Sequence, residues 1–236
     1  DIALILEEAE LKDLPVVFRI LPKELAAEVF VEMDRDLQQH LIESFSNTEL
    51  KDVIDELFMD DMVDIIDEMP AIVAKRILKQ TDAKTRKMIN QLLAYPDDSA
   101  GSIMTTEYVD LKKNMTVDEA FDHIREIGLD TETIYTCYVI DRGRHLLGIV
   151  TVKDLLLNPK TCILSDIMDE NIISANTLDD KEEVAGQFEK YDLMALPVVD
   201  KENRLVGIIT VDDAIDVMQE EASEDIEKMA AILPSE

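Results

Sequence analysis

Tryptophan is absent from this sequence of 236 residues, which also has only six glycines, two cysteines and three histidines. No run of 18 or more apolar residues occurs, so no segment is predicted to span a membrane. Cys137 and Cys162 lie outside any Cys-x-x-Cys pair, and the histidines are scattered, which argues against a zinc site. Two isolated cysteines are typical of a protein from a reducing cytoplasm.

Basic residues are also few, at 23 against 53 acids, and the net charge is −30. Because binding to phosphate backbones requires basic patches, nucleic acid is not an expected partner. A charge this large repels itself in a compact state and suggests that cations stabilise the fold, although acidic excess often serves solubility alone. The sequence begins without Met inside a helical pattern, and we expect it to be part of a longer protein.

The first 95 residues lack glycine and β-branched alternation, and they are predicted to be helical. Apolar residues recur at intervals of three and four, as in Leu21, Leu25, Val29 and Met33, which is the period of one helix face. Prolines and polar N-cap residues divide the stretch into helices at 2–10, 15–20, 22–32, 34–45, 47–57, 59–68, 70–80 and 82–94. Helices this short do not persist alone, so they are predicted to stack into a small superhelix.

The most acidic part of this helical region runs from Glu49 to Glu68, with nine acids and one base, Lys51. Asp60, Asp64 and Asp67 are spaced to share one side of a helix whose opposite side is apolar. These acids either bind cations or form a solvated face whose first members stabilise the helix start. The pattern alone leaves both interpretations open.

The second half contains two copies of one motif. Two pairs of segments match at an offset of 59, namely 138–141 with 197–200 and 148–154 with 207–213. Ile103-Met104 matches Ile167-Met168 at an offset of 64, because the first copy has five extra residues near 129–133. Two β-α-β-β-α units are therefore predicted over about 100–218.

The opening Ile-Met and the Gly-x-x-Thr-x-x-Asp segments resemble a pair of cystathionine-β-synthase (CBS) repeats, which usually pack as one disc-like sensor module. In such pairs the cleft between repeats often binds an adenosine nucleotide through the Thr and Asp. The resemblance implies that the nucleotide-binding residues of the first copy are Thr136, Thr151, Lys153 and Asp154. The aromatic expected to stack on the base is replaced by Thr136, and in the second copy Asp212 beside Asp213 would repel phosphate. Alternatively, the Thr and Asp only cap the following helix.

The order of parts resembles the cytosolic region of MgtE-family magnesium channels. The specific segments are Tyr95-Pro96 with Ala100–Val109 before the CBS pair, and Glu221–Ile226 after it. The resemblance implies an acidic helical N-domain over 1–95, a hinge over 96–102, CBS repeats over 103–161 and 162–218, and an acidic connecting helix over 219–236. Pro234–Glu236 would lead into membrane helices that this sequence lacks.

The same resemblance implies that Mg²⁺ binds between acidic faces of the N-domain and the CBS pair. The implied ligands are Glu28, Asp60, Asp64, Asp192, Asp213, Asp216, Glu221 and Glu224, with Glu182 a weaker candidate. Mg²⁺ prefers oxygen ligands and keeps several waters, so one or two carboxylates for each ion suffice. No Asp-x-Asp-x-Asp-Gly loop occurs, so a dedicated Ca²⁺ site is not expected.

The sequence thus predicts a multidomain α+β protein with an all-helical superhelix, a tandem CBS pair and a terminal connecting helix. Its predicted role is to sense Mg²⁺ at the cytoplasmic face of a bacterial membrane, where domain closure would favour a shut pore. The expected partners are a second copy through the CBS modules and the pore domain of the same protein. The alternative is an adenosine-nucleotide sensor, and an enzyme is not expected because no nucleophile–base pair or phosphate-binding glycine loop is present.

Overall fold

The computed structural model describes residues 2–232, without the side chains at 225, 227 and 229–232. Pro234–Glu236, expected to lead toward a membrane segment, lies outside the described residues. The chain divides into two compact units, unit 1 over Asp1–Ala94 and unit 2 over Tyr95–Glu236. Over the described part, unit 1 is helical and unit 2 contains two small sheets with helices, which confirms the predicted α+β fold class.

Short helices make up the described part of unit 1. Their bounds are α1 Ile2–Glu7, α2 Leu14–Phe18, α3 Lys23–Val31, α4 Arg35–Ser44, α5 Asn47–Ile54, α6 Met59–Glu68, α7 Ala71–Gln80 and α8 Ala83–Leu92. The predicted helices match these in order. Helices α1 and α5 end three residues earlier than expected, because the chain tightens into turns such as that from Leu6 to Ala9.

Side chains at the helix ends satisfy backbone groups that the helices leave open. At the start of α5 the Ser46 hydroxyl accepts from the Glu49 N–H at 3.2 Å, and the Glu49 carboxylate accepts from the Ser46 N–H at 2.7 Å. The guanidinium of Arg76 donates to the carbonyls of Ile42 and Phe45 at the end of α4. The first contact fixes where α5 begins, and the second links α7 to the end of α4.

The core of unit 1 is formed by the inward faces of these helices. Phe18 contacts the ring of Phe30 edge-on at 6.3 Å and the ring of Phe45 at 5.5 Å between centroids. Leu41 and Ile89 are completely buried. Because no helix of this length is stable alone, this shared core holds the unit together.

Unit 2 contains two three-stranded sheets with the same topology. The first copy comprises β1 Tyr108–Lys112, α9 Val117–Ile127, β2 Thr133–Ile140, β3 Leu146–Thr151 and α10 Val152–Leu157. After a 3₁₀ turn at Leu164–Asp166, the second copy comprises β4 Ala175–Asn176, α11 Lys181–Tyr191, β5 Ala195–Val199, β6 Leu205–Thr210 and α12 Val211–Ile232. In each sheet the first strand is parallel to the second, and the third is antiparallel to it.

The two copies are interlocked through their most characteristic residues. Thr105, just after the Ile-Met of the first copy, exchanges backbone hydrogen bonds of 2.8 and 2.9 Å with Ile208 of the second. Met104 lies against Gly207, where a Cβ atom would sit 2.6 Å from the Met104 sulfur and 2.7 Å from the Thr105 carbonyl oxygen. Met168 lies against Gly148 in the reciprocal arrangement. The recurring Met and Gly are therefore two sides of one contact.

The hairpin turns of the two copies also meet. Asp141 accepts from the Gly143 N–H at 2.7 Å, and Asp200 accepts from the Glu202 N–H at 2.9 Å, so both turns have the same local geometry. Leu146 N–H donates to the Asn203 carbonyl at 3.1 Å, which joins the turn of one copy to that of the other. Apolar side chains from both copies then form a shared core, which includes Tyr108, Tyr138, Ile140, Leu146, Ala195, Val199, Leu205 and Ile208.

The predicted hinge over 96–102 makes backbone hydrogen bonds within unit 2. Ala100 N–H donates to the Asp179 carbonyl at 2.8 Å, and Gly101 N–H donates to the Thr177 carbonyl at 3.0 Å. Ser99 and Ala100 are buried. Backbone hydrogen bonds within unit 2 thus hold the end of this segment, so it does not act as a flexible connector along its full length.

The terminal helix α12 runs without interruption from Val211 to Ile232. The helix that closes the second copy and the predicted connecting helix are therefore one rigid element, with no break at residue 218. Among the described helices, none is both long enough and apolar enough to cross a membrane.

The contact at Gly207 generates a stability prediction. Gly207→Ala places a methyl group against backbone as well as the Met104 side chain, and we expect unit 2 to lose about 1–3 kcal/mol of unfolding free energy. Gly186→Ala is the matched control, since nothing lies within 4 Å of its Cβ position in α11. That variant should gain about 0.5–1 kcal/mol from the better helix propensity of Ala. Urea unfolding checks both, and equal effects would contradict the interlocked contact.

Candidate functional site

The start of α12 holds the most unusual carboxylate of unit 2. Thr210 ends strand β6, and its N–H and hydroxyl donate to Asp213 Oδ2 at 3.2 and 2.6 Å. Thr210 is buried and Asp213 is partly buried. The local sequence causes this arrangement, because a Thr before a helix orients an acid three residues later toward the cap. The carboxylate is thereby fixed in position.

Burial raises the pKa of Asp213 to about 6, and the neighbouring charges of Asp212 and Asp216 act in the same direction. The hydrogen bonds from Thr210 oppose the shift without cancelling it. A carboxylate in this environment is poorly compensated when it is ionised. A cation would therefore be favoured here.

Further acids follow along α12. Partial burial, together with the charges of Glu182 and Glu224, raises the pKa of Glu221. The pKa of Glu224 is lowered, because Lys228 Nζ donates to it at 2.8 Å. Glu182, the weaker candidate from the sequence, is therefore an electrostatic neighbour of the predicted set.

Lys181 of α11 is a basic neighbour that the sequence does not reveal. Its Nζ lies 3.6 Å from a Glu220 oxygen, and its charge acts on Glu221 and Glu224. Lys181 and Glu220 are distant in sequence and meet because α11 packs on α12. Lys181 and Lys228 are thus both basic neighbours of the acids of α12.

Asp192 ends α11 in the left-handed conformation, at φ 52° and ψ 45°. Its N–H donates to the Phe188 carbonyl, which is the usual way for an Asp or Asn to stop a helix. The side chain is exposed. The geometry gives Asp192 a structural role in addition to the predicted metal-binding role.

Within unit 1, the three predicted ligands differ in exposure. Asp60 lies in the first turn of α6 and is only 7% exposed, and its Oδ1 accepts from the Asp61 N–H at 3.0 Å. Asp64, one turn later, and Glu28 on α3 are exposed. Glu28 borders a shallow apolar pocket with Ala3. Asp60 is therefore held at the start of α6, whereas Asp64 faces solvent.

Among the described residues, no group of three or more His, Cys, Asp or Glu side chains could hold a metal ion. The predicted ligands of each unit are therefore not assembled into a dedicated cage. The chemistry of the donors still fits Mg²⁺, since the ion retains waters and needs few protein oxygens. It does not fit a tight Ca²⁺ site, which takes six to eight oxygens.

The predicted nucleotide residues cluster at one end of the first sheet. Thr136 pairs with Thr151 across β2 and β3. The Thr151 N–H donates to Asp154 Oδ2 at 3.0 Å, and the Asp154 N–H donates to the Thr151 hydroxyl at 3.1 Å. Lys153 is exposed in the same helical turn. The pair caps the helix, as the alternative interpretation predicted, and Lys153 provides the positive charge that the second copy replaces with Asp212.

Comparison with known proteins supports the division of the chain. A family model described as the MgtE intracellular N domain matches residues 1–98, and a CBS domain model matches residues 100–159 and 164–220. The magnesium transporter MgtE of Thermus thermophilus is 37% identical over 221 residues, which cover 92% of this chain and 49% of the relative. The Bacillus subtilis magnesium transporter MgtE is 32% identical over a match that covers 98% of this chain and 54% of that relative. The chain thus spans about half the length of these relatives.

Two solved structures are similar over nearly their whole length. The cytosolic domain of the Mg²⁺ channel MgtE, determined in complex with ATP, is 35% identical with a TM-score of 0.79, over 90% of this chain and 92% of that one. The soluble part of a magnesium transporter is 30% identical with a TM-score of 0.73, and the match covers 92% of this chain and 95% of that one.

The raised pKa of Asp213 predicts a pH dependence of stability. The native carboxyl binds its proton more tightly than the unfolded one, so its contribution is greatest below pH 4 and is lost as the pH rises through about 6. When the pH falls from 7 to 5, the unfolding free energy of unit 2 should rise by about 1 kcal/mol more in the parent than in Asp213→Asn. Urea unfolding of both proteins at the two pH values measures this, and equal gains would contradict it. Carboxylates with lowered pKa values, such as Glu49, contribute equally to both proteins, so their effects cancel when the parent is compared with the variant.

Proposed function

Because this chain belongs to the MgtE family, we propose that it is the Mg²⁺-sensing regulatory region of a magnesium transporter. The main observation that supports this proposal is the similarity to the MgtE cytosolic domain, which covers 92% of that structure at 35% identity. The proposal places the chain at the cytoplasmic face of a bacterial membrane, next to a pore domain outside this sequence. The transporter's activity is part of the proposal, since the chain spans only half of the relatives.

The proposed sensor is electrostatic. The acids of α12, chiefly Asp213 and Asp216, form one set, and Asp60, Asp64 and Glu28 of unit 1 form the other. Without cations each set repels the other, since the whole chain carries a net charge of −30. The pKa of Asp213, raised by burial and by its neighbours, supports the idea that charge here is under-compensated. Mg²⁺ shared by the two sets would remove the repulsion and draw the units together.

Weak sites suit this role. Carboxylates that are not assembled into a cage bind Mg²⁺ through a few direct contacts and its retained waters, so we expect a response in the millimolar range. Several ions that bind the closed state better than the open one shift a two-state equilibrium strongly, because about 5.5 kcal/mol moves it from 1:99 to 99:1. Since α12 is one uninterrupted helix, closure would be passed along it toward the pore. A closed state would favour a shut pore.

Paired substitutions test the proposed ligands. D213N/D216N in unit 2 and D60N/D64N in unit 1 remove charge with little change in size, so each should shift the Mg²⁺ response to higher concentration by about tenfold. Small-angle X-ray scattering measures the response as a fall in the radius of gyration. Because Asp60 is buried, thermal unfolding first establishes that each variant is folded.

The control is E7Q/E8Q, which removes two exposed charges of α1 and its end. Screening depends on total charge, whereas bridging depends on position. The control should therefore respond as the parent does. Equal shifts in control and test variants would leave only general condensation of counterions on a polyanion.

Nucleotide sensing is the second candidate function. The observation that favours it is the arrangement of Thr136, Thr151 and Asp154 beside exposed Lys153, together with the ATP bound to the similar MgtE cytosolic domain. The first copy is the better site, because its helix start carries Lys153 where the second copy carries Asp212. We rank this function below Mg²⁺ sensing.

Melting temperatures measured with Mg²⁺ and with ATP distinguish the two candidate functions. Mg²⁺ alone should raise the melting temperature, and ATP should add a smaller increment that K153Q/D154N reduces. If ATP without Mg²⁺ raised the melting temperature while Mg²⁺ alone had no effect, the ranking would be reversed.

We also propose that the CBS modules form a homodimer. In the helices that follow the last strand of each copy, Leu155 and Val217 are buried, whereas Leu156 and Leu157 are 68% and 74% exposed. The exposed pair therefore remains available for a second copy. We expect a dimer at tens of micromolar in sedimentation with Mg²⁺ present, and L156S/L157S should shift it toward monomer. A monomeric parent would contradict the proposal.

A further inference from the structure

The last two helices of unit 1 reverse the charge of the rest of the unit. Residues 1–70 contain 20 acids and five bases, whereas residues 71–94 contain six bases and one acid, Asp82. That single acid caps α8, where Asp82 Oδ1 accepts from the Lys84 and Thr85 N–H groups at 2.6 and 3.2 Å. The basic segment is thus a local exception in a strongly acidic chain.

Two of its six bases serve the fold. Arg76 donates to the carbonyls of Ile42 and Phe45, and Arg86 donates to the carbonyls of Leu78 and Thr81. The other four are exposed lysines, which we call the basic face: Lys75 and Lys79 on α7, and Lys84 and Lys87 on α8.

The basic face has a regular placement on the two helices. Lys75 and Lys79 are four residues apart and Lys84 and Lys87 are three apart, so each pair shares one side of its helix. Ile72, three residues before Lys75, is 85% exposed. The buried residues of α7 include Val73 and Ile77, and those of α8 include Ile89 and Leu92.

The lysines of the basic face differ in their partners from four of the five bases of residues 1–70. Lys12, Arg19, Lys23 and Lys51 each lie 2.6 Å from a carboxylate oxygen. No lysine of the basic face is within ion-pair distance of an acid among the residues that the structure describes. In a chain with 53 acids, such an unneutralised group indicates an anionic partner outside the unit.

We propose that the basic face docks on an anionic lipid surface. The choice rests on the proposed function, which places the chain at the cytoplasmic face of a membrane. Lysines act as point charges that need no paired acceptor geometry, and clusters of four or more beside a membrane attract anionic headgroups. The lysine stems and exposed Ile72 supply the apolar contact that an interfacial helix makes with the headgroup layer. The acids of residues 1–70 are repelled by the same surface, which favours contact through the basic face instead.

Vesicle flotation of the whole chain tests the proposal. The protein is mixed with phosphatidylcholine vesicles, with or without about one third phosphatidylglycerol, in low salt with EDTA so that divalent ions do not bridge acids to lipid. We expect flotation only with the anionic vesicles, and about tenfold less bound protein for K75Q/K79Q/K84Q/K87Q. The matched control K12Q/K113Q/K160Q/K201Q loses the same charge at scattered exposed sites and should bind as the parent or only slightly less.

Three results would overturn the proposal: no flotation of the parent, equal loss in the two quadruple variants, or equal competition by inorganic phosphate at the same phosphorus concentration. Mg²⁺-dependent contraction of the parent protein, measured without vesicles, keeps this proposal separate from the proposed function. Contraction with no flotation rejects lipid docking alone, whereas flotation with no contraction rejects Mg²⁺ sensing alone.

Discussion

Repulsion between carboxylates held on rigid helices is the constraint on which this structure depends. Within each unit the acids cannot move far apart, because the helices that carry them are fixed by apolar cores and by caps such as Ser46–Glu49. Nor can they all neutralise themselves, although Asp213 approaches this with a pKa raised to about 6. The repulsion is therefore stored in the folded chain, and bound cations are the simplest means of relieving it.

The two CBS copies show how one local motif serves different chemistry. In both, the N–H and hydroxyl of a Thr at the strand end donate to the carboxylate of an Asp three residues later. The difference lies in the residue before the Asp, which is Lys153 in the first copy and Asp212 in the second. The first cap thus suits an anion and the second a cation, without any change of backbone. The interlock of Met104 with Gly207 keeps the copies in one module while these positions vary.

Much of the fold could be predicted from sequence, because the signals are local. Helical period, N-caps and the repeat at an offset of 59 specify the elements. Non-local contacts could not be predicted: Lys181 meets Glu220 only because α11 packs on α12, and Ala100 bonds to Asp179 across 79 positions. The same holds for burial, since Asp60 and Asp64 share a spacing pattern but differ in exposure. The ligand residues themselves remain predictions from family resemblance and charge.

The most direct test of the central claim is the distance between the units as a function of Mg²⁺. Spin labels at Glu43→Cys and Glu189→Cys, both exposed positions, with Cys137 and Cys162 replaced by Ala and Ser, would report it by pulsed electron resonance. The account predicts that about 5 mM Mg²⁺ converts a broad distance distribution into a short, narrow one, whereas Na⁺ at matched ionic strength does not. The same change with Na⁺, or none with Mg²⁺, would contradict it.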